Sequence, residues 1–141
     1  MPLSPPPTAL IIGGTRNLGP DIVRALVDDG YRVTLFHRGL THSGALPPSV
    51  ERLHGDRGDE RALAAALSGR EFDVVIDTTL YNGPDAEAAV RVLGPLVRRR
   101  YIMLSTGQVY LVRPGLVRPF SERDYAGVTI PAPPESDAFD F

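Results

Sequence analysis

A chain of 141 residues suffices for one domain with a buried core, and 43% hydrophobic with 23% charged residues is the composition of a soluble globular protein. Fifteen basic residues against seventeen acidic ones leave a net charge of −2, which supplies no drive toward nucleic acid or an anionic membrane. The absence of cysteine excludes disulfides, thiolate metal ligands and a cysteine nucleophile.

No apolar run approaches the roughly 20 residues needed to span a bilayer. The opening "MPLSPPPT" carries neither a basic n-region nor an apolar h-region, so a cytoplasmic location without a signal peptide is expected. Residues 1–7, with Pro2, Pro5, Pro6 and Pro7, read as a stiff lead-in.

Thr8 to Ile12 then read as a buried strand. From Asn17 to Asp29 the apolar Leu18, Ile22, Val23, Leu26 and Val27 recur at helical spacing, and Gly30 closes the helix. "YRVTLFH" (31–37) alternates and predicts a second strand. Residues 39–49 are loop-like, "VERLHGD" (50–56) is a short third strand, and "DERALAAALSG" (59–69) is a helix. "FDVVIDTT" (72–79) is a continuous apolar run, the mark of a strand buried on both faces. Residues 84–98 predict a helix that Gly94 and Pro95 bend or break; Arg98, Arg99 and Arg100 close it as a solvated end and open the next strand. "YIMLST" (101–106) is the fifth strand. After Gln108 the periodicity dissolves.

Strands alternating with helices predict an α/β fold, a doubly wound parallel sheet of five strands in the order 3-2-1-4-5. We place this domain at residues 8–112, with an irregular proline-rich tail over 113–141.

A glycine turn between the first strand and the first helix is where such a sheet binds a dinucleotide. In "ALIIGGTRNLG" (9–19), Gly13 turns the chain off the strand and Gly19 lets the helix pack close to the sheet. Thr15, Arg16, Asn17 and Leu18 lie between them, where amides at the helix start can face a pyrophosphate. Arg16 replaces the middle glycine of the usual fingerprint. The three histidines show no ligand spacing, and no metal is expected.

These residues resemble the start of the NAD(P)-dependent epimerase/dehydratase family, the extended and atypical short-chain dehydrogenase/reductases, one branch of which writes "GGTRFLG". "VTLFHRG", "HGDRGD" and "YIMLSTGQVY" are similar to three further family landmarks in order and spacing, so the resemblance covers residues 8 to about 125. It implies a Rossmann-type fold and an NAD or NADP cofactor. At the end of the second strand, His37-Arg38 stands where an NAD-selective member carries an acid, and a guanidinium there suits a 2′-phosphate, so NADP is preferred. Arg16 could close the same phosphate from the other side. The resemblance gives Asp56 the adenine amino group and lays Arg57 over the ring, although an ordinary surface loop fits the same residues. Thr78 and Thr79 either line the ribose and pyrophosphate or pack as small residues under the turn.

The family's chemistry is hydride transfer with a Ser or Thr holding the substrate oxygen, here Thr106, and a Tyr-x-x-x-Lys pair as the base. This chain contains no lysine. The reading is therefore the cofactor-binding portion of an epimerase/dehydratase or reductase, truncated before the catalytic helix and inactive alone. The alternative is a non-catalytic dinucleotide-binding or scaffolding module. RNA binding, which chloroplast relatives suggest, is disfavoured by the acidic balance. The fourth and fifth strands are apolar on both sides, which implies either a homodimer through that region or a cover made by the tail.

Overall fold

The computed structural model describes residues 4–40 and 46–105. The expected boundary at 112, the tail over 113–141 and Thr106 lie outside the described residues. Five parallel strands form one sheet in the order β3-β2-β1-β4-β5. They are β1 (Thr8–Ile12), β2 (Arg32–His37), β3 (Glu51–His54), β4 (Phe72–Asp77) and β5 (Val97–Met103). The connecting helices are α1 (Gly19–Asp28), α2 (Glu60–Leu67) and α3 (Gly83–Val92). This is the doubly wound sheet that the strand–helix alternation predicts.

β1 is the central strand, and Ala9, Leu10, Ile11 and Ile12 are all buried because each face of the sheet carries its own core. On one face Leu10, Ile12 and Phe36 pack with Leu63 and Leu67 of α2 and with Ala89 of α3. On the other, Ala9, Ile11, Val33 and Leu35 pack with Val23 of α1 and with Leu46 and Val50. β4 feeds both: Phe72 and Val75 lie in the first core, Val74 and Ile76 beside the second. Simple alternation would put Phe72 on the side of Val74. A register irregularity between Phe72 and Val74, where β4 pairs with β5, moves Phe72 across.

Helix ends follow local chemistry. Asp59 caps α2 by accepting the Arg61 and Ala62 amides, and Asn82 caps α3 by accepting the Asp85 amide. α1 has no side-chain cap and starts at Gly19 rather than at Asn17, because Asn17 is in the left-handed region at φ 50°.

The expected helix over 84–98 is corrected. α3 ends at Val92, and Gly94–Leu96 form a single 3-10 turn in which the Leu96 amide donates to Leu93. β5 then starts at Val97, so Arg98, Arg99 and Arg100 belong to a strand and not to a helix end. β5 pairs only with β4 among the described residues. That exposure lets Arg98 reach Glu71 and Arg99 reach Asp73. Ile102 and Met103 of β5 remain partly exposed.

Gly19 carries the tightest constraint on this arrangement, since a Cβ there would overlap the backbone of Gly14. Gly19→Ala is expected to destabilise the fold by about 1–3 kcal/mol through this overlap. Gly83→Ala, where a Cβ meets nothing within 4 Å, should be neutral or stabilising by up to about 1 kcal/mol. Urea unfolding of both variants checks this; equal losses would contradict the packing.

Candidate functional site

The C-terminal ends of β1, β2 and β4 converge on the turn that leads into α1. Gly13 and Gly14 sit at φ 88° and 74°, so the chain reverses through two consecutive left-handed glycines. A Cβ on Gly13 would overlap Thr78 and Thr79, and one on Gly14 would strike Leu35 and Ile11. Gly13 donates to the Phe36 carbonyl at 2.8 Å and the Thr78 amide to the Ile12 carbonyl at 3.0 Å, which ties the turn to both neighbouring strands.

Arg16 occupies the middle-glycine position without strain, because the left-handed step falls on Asn17, the only non-glycine residue at positive φ among the described residues. Asparagine tolerates that region better than most side chains. The Gly19 amide closes the turn on the Arg16 carbonyl at 2.9 Å, and the side chains of Arg16, Asn17 and Leu18 are exposed at its rim. Thr15 is half-buried.

Thr78 packs under the turn, one of the two roles expected of it. Its hydroxyl accepts the Gly14 amide at 3.1 Å and donates to the Ile12 carbonyl at 2.9 Å, so it braces the glycine turn from below. Thr79 leaves the strand with its amide and hydroxyl both donating to Asp77 Oδ1, at 3.0 and 3.3 Å.

Asp77 has no solvent exposure. A buried carboxylate needs a countercharge and a full set of donors. Arg57 Nη2 donates to Oδ2 at 2.8 Å and the Tyr101 hydroxyl donates to the same oxygen at 2.7 Å. Arg57 Nη1 also donates to the Thr79 carbonyl at 3.0 Å and lies 3.6 Å from Asp85. Burial first, and then the Asp77 hydrogen bond, push the Tyr101 phenol well above its ordinary pKa, so it stays protonated as a donor. The network joins the β3–α2 loop, the end of β4, the start of α3 and β5.

Arg57, expected over an adenine ring or on an ordinary surface loop, is held in place by these contacts: its terminal nitrogens donate to Asp77 and to the Thr79 carbonyl, which matches the buried Asp77 charge. Asp56 is exposed on the same loop, and its Oδ1 accepts the Gly58 amide at 2.9 Å. Gly55 donates to the His37 carbonyl at 3.0 Å, and Arg38 is exposed at the end of β2. The structure therefore gathers the glycine turn, Arg38, Asp56, Arg57, Thr78 and Thr79 at one end of the sheet.

Gly14, Asp77 and Tyr101 were missed as site residues. A carboxylate ending an otherwise apolar strand was the available signal for Asp77. Separately, Leu80, Ala86, Ala89, Val90, Val97 and Met103 line an apolar groove of about 610 Å³ beside α3 and β5. It lies on the α3 side of the sheet, not on the opposite face of β4 and β5 that was expected to need a cover; the tail proposed as one such cover lies outside the described residues. No described helix is long and apolar enough to cross a membrane.

The pattern of the NAD(P)H-binding family matches residues 13–132, most of the chain. This chain belongs to that family. The chloroplast stem-loop binding protein of 41 kDa b from Arabidopsis thaliana is 36% identical over 115 residues, covering 72% of this chain and 30% of the relative. The chain thus spans under a third of the length of the curated relatives it matches. Among solved structures, dTDP-glucose 4,6-dehydratase from Bacillus anthracis in complex with NAD superposes at a TM-score of 0.65, with 19% identity over 92% of this chain and 46% of that one. A short-chain dehydrogenase/reductase from Burkholderia multivorans with bound NADP superposes at 0.62, with 23% identity over 80% of this chain and 64% of that one. The fold is that of the short-chain dehydrogenase/reductase and epimerase/dehydratase proteins.

Arg57→Met, which leaves the Asp77 carboxylate buried without its partner, is expected to cost about 3–5 kcal/mol of stability. Adding Asp77→Leu should recover much of that loss, whereas Tyr101→Phe alone should cost about 1.5–3 kcal/mol. Denaturant unfolding of the three variants checks the order; a double variant no better than Arg57→Met would contradict an ion-pair account.

Proposed function

We propose that this chain is the cofactor-binding module of a short-chain dehydrogenase/reductase of the epimerase/dehydratase type and prefers NADP to NAD. The observation that carries the reading is the doubled left-handed glycine turn at the β1–α1 junction. Gly13 and Gly14 keep side chains away from it, Gly19 brings the helix start against it, and Thr78 holds it rigid from beneath. A pyrophosphate fits such a turn because it takes hydrogen bonds from helix-start amides and is favoured by the helix dipole. The proposed contacts are Gly13, Thr15, Arg16, Asn17, Leu18 and Gly19 toward the pyrophosphate, with Thr78 and Thr79 shaping the floor beneath it.

At the adenosine end, the reading gives Asp56 the adenine amino group and Arg38 the 2′-phosphate. No acid stands at the end of β2 to accept ribose hydroxyls, and an exposed guanidinium offers paired donors to a phosphate. Arg16 closes the same phosphate from the glycine turn.

The nicotinamide cofactor would supply hydride chemistry when bound. These 141 residues contain no lysine and hence no Tyr-x-x-x-Lys pair, which supports a binding role for this stretch rather than turnover by it alone. Thr106 keeps its proposed role as holder of a substrate oxygen in a completed site. The same observation supports the second reading, a dinucleotide-binding module without chemistry of its own.

Calorimetric titration should show NADPH binding more tightly than NADH, and Arg38→Ala should weaken NADPH roughly tenfold while barely changing NADH. Equal binding of both cofactors, unchanged in the variant, would overturn the NADP preference. Failure of both cofactors to bind would overturn the functional reading.

A further inference from the structure

His37 ends β2 with its imidazole almost wholly buried, next in sequence to the exposed Arg38. Its Nδ1 accepts the Gly39 amide at 3.1 Å, so a neutral ring carries its proton on Nε2. Nε2 is buried and has no hydrogen-bond partner among the described residues. His54, opposite His37 in the β2–β3 register, meets it edge to face with ring centroids 4.7 Å apart. Gly39 sits at φ 76°, and a Cβ there would stand 3.0 Å from His54 Cδ2. The turn after β2 is thus held through Nδ1 on one side and packed against the His54 ring on the other. Arg38 lies between the two fixed residues.

We propose that His37 is a positioning residue for cofactor selection: its uncharged ring ties the Gly39 amide and so holds the turn that presents Arg38 to the 2′-phosphate of a dinucleotide. This rests on the reading of Arg38 given above. Protonating Nδ1 would replace an acceptor with a donor facing the Gly39 N–H, and the tie would break. The charged and titratable groups around the ring are His54 and Arg52 on β3 and the adjacent Arg38. Burial, then His54 and Arg52, hold the His37 pKa below its ordinary 6.5. A depressed folded-state value keeps the tie, and the stability it confers, intact above pH 6.5, and both are lost as the pH falls through the lowered value.

The test is the ratio of NADPH to NADH affinity, measured by titration calorimetry on the full chain well above pH 6.5. Arg38→Ala and His37→Leu should each lower that ratio by roughly fivefold or more, by removing the phosphate donors or the tie that places them. His37→Asn should retain it, because an asparagine side-chain oxygen accepts the amide two residues on. A His37→Leu variant that weakens both cofactors equally, or a His37→Asn variant that loses the ratio as fully as the leucine, would overturn the positioning role. If His37→Leu keeps the ratio while Arg38→Ala abolishes it, the inference alone fails; if Arg38→Ala changes nothing, the phosphate reading fails and takes the inference with it.

A second comparison does not need the leucine variant to fold. On acidification below pH 6.5 the wild-type ratio should fall further than that of His37→Asn, which lacks the His37 imidazole but shares His54 and the cofactor phosphate with the wild type. Parallel curves would overturn the proposal.

Discussion

A carboxylate with no exposure, placed at the end of an interior strand, constrains everything around it. Asp77 can remain there only if donors arrive from other segments, and they do: Arg57 from the β3–α2 loop, Tyr101 from β5, and Thr79 from the connection to α3. Meeting the needs of one buried charge therefore fixes the relative positions of four pieces of chain. Those pieces meet at the C-terminal end of the sheet. The next residue, Thr78, carries the order on to the glycine turn by bracing it with its hydroxyl. Buried ion pairs contribute little net stability compared with apolar replacements, so the value of this one lies in the geometry it enforces.

The glycine turn departs from the usual fingerprint and still makes a tight reversal. Two adjacent glycines take the left-handed steps and Asn17 takes a third, which frees the middle position from any demand for glycine. An arginine can stand there because the backbone conformation it adopts is open to any residue. Gly19 retains its ordinary role, since its backbone meets that of Gly14 where no Cβ would fit. The departure relocates the conformational burden and adds a cation at the rim.

Strand order and the two-faced core were legible in the sequence, because a buried parallel strand is apolar throughout and each crossover helix has an apolar stripe on one side. The turn after β1 was legible for the same local reason. What escaped depended on partners distant in sequence. The arginines at 98–100 carry no strand-like pattern of their own; they fit a strand because Glu71 reaches Arg98, Asp73 reaches Arg99, and β5 pairs on one side alone among the described residues. The Arg57–Asp77 pair was not legible either, because nothing local reveals Asp77, twenty residues away, as a partner of Arg57. Among the site residues, Gly13 and Gly19 were read in the roles the structure gives them, and Thr78 in one of two. Asp56 and Arg38 are brought to the expected end of the sheet.

The central claim is that this end of the sheet holds a dinucleotide. Amide hydrogen exchange with and without NADPH tests it most directly, because it reports location as well as binding. The account predicts slowed exchange at residues 13–19, at 38 and 39, and at 55–58, 78 and 79, with no change at the opposite end of the sheet around Thr8, Glu51 and Arg70. Protection confined to that opposite end, or none anywhere at saturating NADPH, would contradict it.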